Sequence, residues 1–464
     1  MKKVLCIITA AVLMAMLITA CGGTQAPTTT QAATTADATT AAQAGDTAEE
    51  ISGKVLVWTF LDPDGGQDAR SQALAKMIQS FETENPKVDV VTEPQSWEML
   101  VPMFLANAAS GSASDIIWTR HDDVPLILNT GNLLAFEDSF MADWSQEEIE
   151  DIRSSVFEVY VDDVGKHYVK DFGVGAYVVF YRKDLFAEKG IEGPFETWDE
   201  LIAAAKQLNG VDANGIEVFG LGTALSPLDG ESTVLHTYMT TQMGGKMFND
   251  DGTAAWNGPE ALEALQFQKS LIFDHKIVPE SAIGYTSSAD IIPQFIAGKY
   301  AMVVIQSPRL AQIRSGVSVC DPLDIEMMPL PKTDGKDTYH GLAGWTIGMN
   351  KYSKNIPAAS KFFEYLISPE GDAIWSLEAG MNPSRKSTLE THAEFFNQPE
   401  NEYYKVVNHV IGNYGFEPIN PMGYSISGWI NDICKAVEDS TIGGMTEQQA
   451  LDASVESYNL RNAK

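Results

Sequence analysis

Cysteine is scarce, with four in 464 residues, too few for a disulfide framework. Cys6 and Cys21 fall in an N-terminal targeting segment. Only Cys320 and Cys434 remain for the folded body, and they are expected to be small, buried, unbridged thiols. Positive charge is scarce too. Lysine and arginine total 31 against 63 acids, a net charge of −32. A chain of that sign is not expected to bind nucleic acid. The seven histidines are scattered, with no His-Glu-x-x-His helix, so neither a metal site nor a cofactor is expected. Enzyme motifs are missing as well. Gly244-Gly245-Lys246 lacks the upstream glycine of a phosphate loop, and Gly173-Val174-Gly175 and Gly220-Leu221-Gly222 lack the third glycine of a dinucleotide turn. The run Gly423 to Gly428 narrowly misses a nucleophile elbow. The sequence therefore argues against an enzyme, although 63 acids leave a pair of glycosidase carboxylates open.

The one long apolar run lies at the N-terminus. Lys2 and Lys3 precede Val4 to Ile18, which has the length of a signal-peptide core and is short for a transmembrane helix. It ends in Leu17-Ile18-Thr19-Ala20-Cys21-Gly22. This resembles the lipobox of bacterial lipoproteins, with Ile18 where leucine is commoner. The resemblance implies cleavage after residue 20, lipidation of Cys21, and a chain held at the outer face of the cell membrane by its lipid anchor alone. Residues 22–50 are mostly Thr, Ala, Gln and Gly, without aromatics or apolar periodicity. Such a segment buries too little surface to offset chain entropy and reads as a flexible tether.

From residue 51 the pattern alternates. Val55-Leu56-Val57-Trp58 has the composition of a buried strand. Leu74, Met77, Ile78 and Phe81 follow at helical spacing, and Asn85-Pro86 stops the helix. Val88-Asp89-Val90 is extended again, a second helix is expected over roughly 96–109, and Asp115 to Trp118 forms a third strand. A β-α-β-α-β order predicts a mostly parallel, helix-covered sheet. Thr197 with Glu200 and Thr446 with Gln449 are capping boxes. Ser368-Pro369 marks a helix start, and residues 248–253 form a turn. About 410 ordered residues exceed one core, so two lobes are expected.

Several segments, in order and spacing, are similar to family 1 of the bacterial extracellular solute-binding proteins. They are Val57-Trp58-Thr59-Phe60, Phe81 to Pro86, Ala108 to Ile117, Gly131-Asn132-Leu133-Leu134, Phe180 to Phe186, Phe295 to Met302, Gly344-Trp345, Ala358 to Leu366 and Gly380-Met381-Asn382-Pro383. The likeness spans nearly all of residues 51–464. Lys170-Asp171 departs from it, standing where many relatives carry a proline. The resemblance implies an α/β, two-lobed periplasmic-binding-protein-like fold of class II, with a ligand cleft between lobes joined by a multi-segment hinge. Lobe I is expected over 51–172 and 318–367, lobe II over 173–317 and 368–464. It implies a monomer that captures a sugar or short oligosaccharide outside the cytoplasm and hands it to the membrane subunits of an ABC importer.

Sugars offer apolar C–H faces ringed by hydroxyls, so their sites combine flat aromatics with fixed donors and acceptors. Ligands of open α/β sheets lie at carboxyl strand ends. Those two rules select Trp58, Phe60 and Asp62 after the first strand, Gln95 (with Glu93) after the second, and Trp118, Arg120 and Asp122 after the third. By the resemblance Asp122 falls on the family's sugar-binding aspartate. Asp123 replaces the arginine beside it, so Arg120 is expected to restore the positive charge. Tyr177 precedes the strand Val178 to Phe180, and Ser307 follows the strand Ala301 to Ile305. Gly344-Trp345 forms a turn that faces ligand in relatives, and Trp429 falls near the family's C-terminal stacking aromatic. The residues leave two other ligand readings open, a polyamine or peptide in the same cleft and a lipid-anchored glycoside hydrolase.

Overall fold

The computed structural model describes residues 51–462 except 98, 154–160, 163, 224–237, 239, 286–287, 333–341 and 414–425. Cys21 and the tether lie outside the described residues. Among the described residues nine strands form: β1 Gly53–Thr59, β2 Val88–Pro94, β3 Ile116–Arg120, β4 Val169–Arg182, β5 Gly210–Val211, β6 Glu217–Gly222, β7 Tyr300–Gln306, β8 Ile325–Met328 and β9 Leu342–Met349.

The expected β-α-β-α-β opening is present. β1 pairs in parallel with β2 and β3. The helix Ala69–Glu84 between β1 and β2 starts at Asp68, whose carboxylate accepts from the Arg70 and Ser71 amides. It ends at Asn85, whose amide donates to the Phe81 carbonyl. The second helix is shorter than expected, Leu100–Asn107. Pro102 lacks an N–H and is tolerated only in a first turn, which fixes the start near Leu100. Asp115 stands just before β3. Its carboxylate accepts from the Leu56 amide at 2.7 Å and from Ser353 Oγ at 2.6 Å, tying that strand to β1. The capping boxes at Thr197/Glu200 and Thr446/Gln449 both form, and Ser368 caps the helix Pro369–Leu377.

β4 organises the body. Its first half pairs antiparallel with β9, which also pairs with β3. Its second half pairs with β7 and β8, and β7 pairs in parallel with β6. One strand therefore belongs to two sheets, and the register shifts between Asp171 and Val174 where it leaves the first. Gly173 makes the shift possible. Its φ is +97°, a conformation that costs a side-chain-bearing residue dearly. A Cβ there would also stand 3.2 Å from both Met381 Sδ and Trp375 Nε1. Beside it Phe172 is held between Trp375, stacked at 4.7 Å, and Trp118, edge-on at 5.4 Å.

Three apolar clusters form among the described residues. One covers the β1–β3 sheet and includes Val57, Leu74, Trp118, Phe172, Ile347 and Phe362. The other two lie on opposite faces of the second sheet. Val179 faces one with Trp198, Trp256 and Trp429, while Val178 and Phe180 face the other with Phe295 and Val407. The alternation along β4 is that of a strand covered on both sides. Two expected boundaries differ from this packing. Ile325 to Leu330 pack with the second sheet, because β8 adds to β4 there. Ile374, Trp375 and Met381 pack in the first cluster, because the apolar face of the helix Pro369–Leu377 meets Phe172. Cys320 and Cys434 are not joined in a disulfide, as expected.

Near the return from the first cluster, Asp372 accepts from the Ser384 and Arg385 amides. Arg385, 4% exposed, donates to Asp151 at 2.8 Å. Burial raises the Asp151 carboxyl pKa, but Arg385 and Ser387 outweigh it and hold that pKa below the ordinary 3.8. A depressed folded pKa means the pair stabilises fully above the ordinary value and fades as pH falls through the folded one. Asp151→Asn should therefore cost roughly 3 kcal/mol near pH 7, because it strands a buried guanidinium. Denaturant melts at pH 7 and pH 2.5 check this, and the gap from wild type should close at the lower pH.

Candidate functional site

The carboxyl ends of β1, β2 and β3 and the start of β9 bring most of the expected residues to one edge. Trp58 is buried, and its Nε1–H donates to Glu93 Oε2 at 2.9 Å, so β1 and β2 are pinned side by side. Phe60 follows, half-buried, and stacks on Trp345 with ring centroids 3.9 Å apart and planes 29° from parallel. Trp345 is half-buried and lies opposite Arg120 in the β3–β9 ladder. Gly344 beside it has φ +133° and sits against Val174 of β4. That backbone favours glycine, so Gly344 acts by shaping the turn that presents Trp345. Gln95 is placed next to Thr59 through its amide, which donates to the Thr59 carbonyl at 2.8 Å.

Arg120 and Asp123 form a bidentate pair, Nε to Oδ2 at 2.7 Å and Nη2 to Oδ1 at 3.1 Å. The Arg120 guanidinium also lies 4.8 Å from the Trp97 ring centroid. Asp123 thus consumes the positive charge that Arg120 was expected to bring to the ligand. The backbone of Asp122 lies in the one-turn helix His121–Asp123, and its side chain lies outside the described residues. Beneath this turn Thr119 and Thr346 share a hydrogen bond at 2.9 Å. His121 Nε2 lies 2.8 Å from Asp171 Oδ1, both buried. Lys170, also buried, donates to the Asp171 carbonyl at 2.8 Å.

Other expected residues lie elsewhere or act differently. Trp118 is fully buried on Phe172, since central β3 is covered on both faces. Trp429 is buried too, within 6.3 Å of Trp256 and 5.9 Å of Phe248, centroid to centroid. Both are core residues. Ser307 is buried, and its Oγ accepts from the Ala176 amide at 3.1 Å, which makes it a tie between β4 and the end of β7. Asp62 is exposed and its carboxylate accepts from the Gly65 amide, as turn acids do. Tyr177 is half-buried, with its hydroxyl accepting from Gln306 Nε2 at 3.0 Å.

Two residues at this edge escaped the sequence reading. Trp97 is 39% exposed and lies just beyond Gln95, so the strand-end rule applied one turn further would have found it. Arg70 lies in the first turn of its helix, with its guanidinium 5.4 Å from the Phe60 ring centroid. A cation there opposes the helix dipole, and that misfit was the available signal.

The sequence profile of the bacterial extracellular solute-binding proteins matches residues 64–373. Among curated proteins, a Brucella abortus binding protein is 28% identical over 313 residues, 66% of this chain and 71% of its own length. The arabinooligosaccharide-binding protein of Bacillus subtilis is 24% identical over 365 residues, 74% of this chain and 77% of its own. Among solved structures, the GacH receptor of Streptomyces glaucescens, determined unliganded and with acarbose, superposes with a TM-score of 0.71. It is 20% identical, over 89% of this chain and 100% of the receptor's. The expected two-lobed α/β fold is thereby shown.

Burial pushes the Lys170 amino group down to about 8, against the opposing pull of Asp171 and Asp372. Between that value and the ordinary 10.5 the unfolded chain binds more protons, so this lysine's penalty is full below pH 8 and gone above pH 10.5. The stability of the wild type relative to Lys170→Met should therefore be lower at pH 7 than at pH 10.5. Chemical denaturation at the two pH values measures it.

Proposed function

The chain belongs to the bacterial extracellular solute-binding proteins, and on that premise we propose that it captures a saccharide and delivers it to the membrane subunits of an ABC importer. The family is one of binding proteins rather than enzymes and works outside the cytoplasm.

The observation that carries the sugar reading is the Phe60–Trp345 stack, half-buried where the carboxyl end of β1 meets the start of β9 across β3. A flat aromatic surface matches the C–H face of a pyranose or furanose ring, and Gln95, Tyr177 and Asp122 are the residues we assign to supply polar contacts. The named ligands of relatives agree in kind, arabino-oligosaccharides in one and acarbose in another. A polyamine site would need carboxylates facing the cleft without matching bases. Here Glu93 is held by Trp58, Asp123 by Arg120 and Asp62 by its own turn.

Capture proceeds by closure of the lobes about β4 and the segments returning beside it. A ligand shifts that equilibrium only by its differential affinity for the closed state, and contacts from both lobes supply the difference. Cys21 carries the lipid, and residues 22–50 let the body reach its transporter.

Calorimetry against an oligosaccharide panel tests the reading. Trp345→Ala should lower affinity for the bound saccharide about tenfold to a hundredfold, as for loss of one stacked ring. Asp122→Asn should do the same through a lost charged acceptor. Because Trp345 also supports Phe60, a melting curve must accompany the titration. A sharp fall in melting temperature without ligand would show a packing role instead. Cys21→Ala should move the protein from the membrane fraction to the soluble one on cell fractionation.

A further inference from the structure

We propose that the saccharide carries a negative charge, such as a uronate carboxylate, and that this group sits between Arg70 of one lobe and Arg309 of the other. The proposal rests on the sugar reading above and narrows it.

Arg70 lies over Phe60, which stacks on Trp345, so its guanidinium caps the aromatic platform itself. Arg309 comes from the opposite sheet, in the turn Ser307–Arg309 after β7. The two are brought together by β4. Gly344, next to Trp345, pairs with Val174. One residue on, Gly175 packs so tightly on Pro308 that a Cβ would stand 2.6 Å from its Cδ. Ser307 Oγ then accepts from the Ala176 amide. Arg309 thus leaves the second sheet where the aromatic platform leaves the first. Burial lowers the Arg70 pKa, and repulsion from Arg309 lowers it further against the pull of Asp68. The two guanidiniums therefore feel one another across the cleft.

Asp68 pairs with Arg70 and neutralises it in part. It approaches Nε only at 3.6 Å, and its oxygens accept from two helix amides and from Ser71 Oγ at 2.6 Å. Arg120 makes the contrast, since Asp123 grips it in two places. In a chain with twice as many acids as bases, an arginine over the aromatic platform within electrostatic reach of a second arginine from the other lobe is an unusual pairing. Like charges there oppose closure. An anion placed between them turns that repulsion into two charge-assisted contacts formed only in the closed state.

The test is calorimetry on the full folded body with matched pairs: short oligogalacturonates against their methyl esters, and hexose 6-phosphates against the parent hexoses, within a wider array of neutral and uronate-bearing oligosaccharides. The charged member of at least one pair should bind about tenfold or more tightly than its neutral partner. Whichever pair shows the gain identifies the group as carboxylate or phosphate. Arg309→Gln should erase the preference without lowering the melting temperature, and Arg309→Lys should keep part of it. Neutral saccharides binding as well as charged ones, or a preference that survives both Arg309→Gln and Arg70→Gln, would overturn the inference while leaving saccharide capture standing. If no saccharide of either kind binds, both readings fall.

Discussion

β4 is hydrogen-bonded to both sheets at once, and the rest of the molecule is arranged around that constraint. A strand cannot serve two sheets of different orientation without a local break in its ladder. The register shift between Asp171 and Val174 is that break, and Gly173 supplies the backbone for it. Everything at the candidate site is referenced to the residues just after it. Gly344 and Trp345 are set by Val174, and Pro308 and Ser307 by Gly175 and Ala176. The platform of one lobe and the arginine of the other therefore share a common origin only three residues long.

The same segment concentrates polar cost. Lys170, Asp171 and His121 are all buried beneath the β3 strand end. Burying charge in a core is unfavourable unless it is paired, and such groups are weak evidence for stability. Here they fix the start of the crossing from below while Trp118, Phe172 and Trp375 fix it from the side. A rigid anchor up to residue 172 followed by a permissive glycine is the mechanical form of a hinge.

How much of this was legible in the sequence follows from the range of each signal. Capping boxes, the Asn85-Pro86 stop and the β-α-β-α-β opening depend on neighbours within a few residues, and they could be read directly. The two-sheet role of β4 could not. Lys170, Asp171, Gly173 and Gly175 break the apolar run that marks a strand, so only Val178 to Phe180 stood out. Strand ends were found correctly, but the direction of each side chain was not. Trp118 and Trp58 lie on central strands buried on both faces, where no alternation betrays which side meets the cleft. Trp429 was misplaced for a related reason: its role depends on Phe248 and Trp256, far away in the chain. Arg120 was placed correctly, yet its charge was assigned outward because the fold that turns Asp123 back onto it has no sequence signature.

The order of strands also bears on how such a protein reaches its working state. β9 completes the first sheet between β3 and β4, yet it comes from residues 342–349. The helix that buries Phe172 comes later still. A chain made N-terminus first delivers β1, β2 and β3 long before the strand that covers their edge. The first lobe must wait, its apolar face and an open strand edge exposed, until most of the second lobe has emerged. Loop closure across that distance is slow compared with local pairing. The late arrival of β9 therefore leaves the first lobe open along one edge until residues 342–349 are in place, so closing it is a late event in folding.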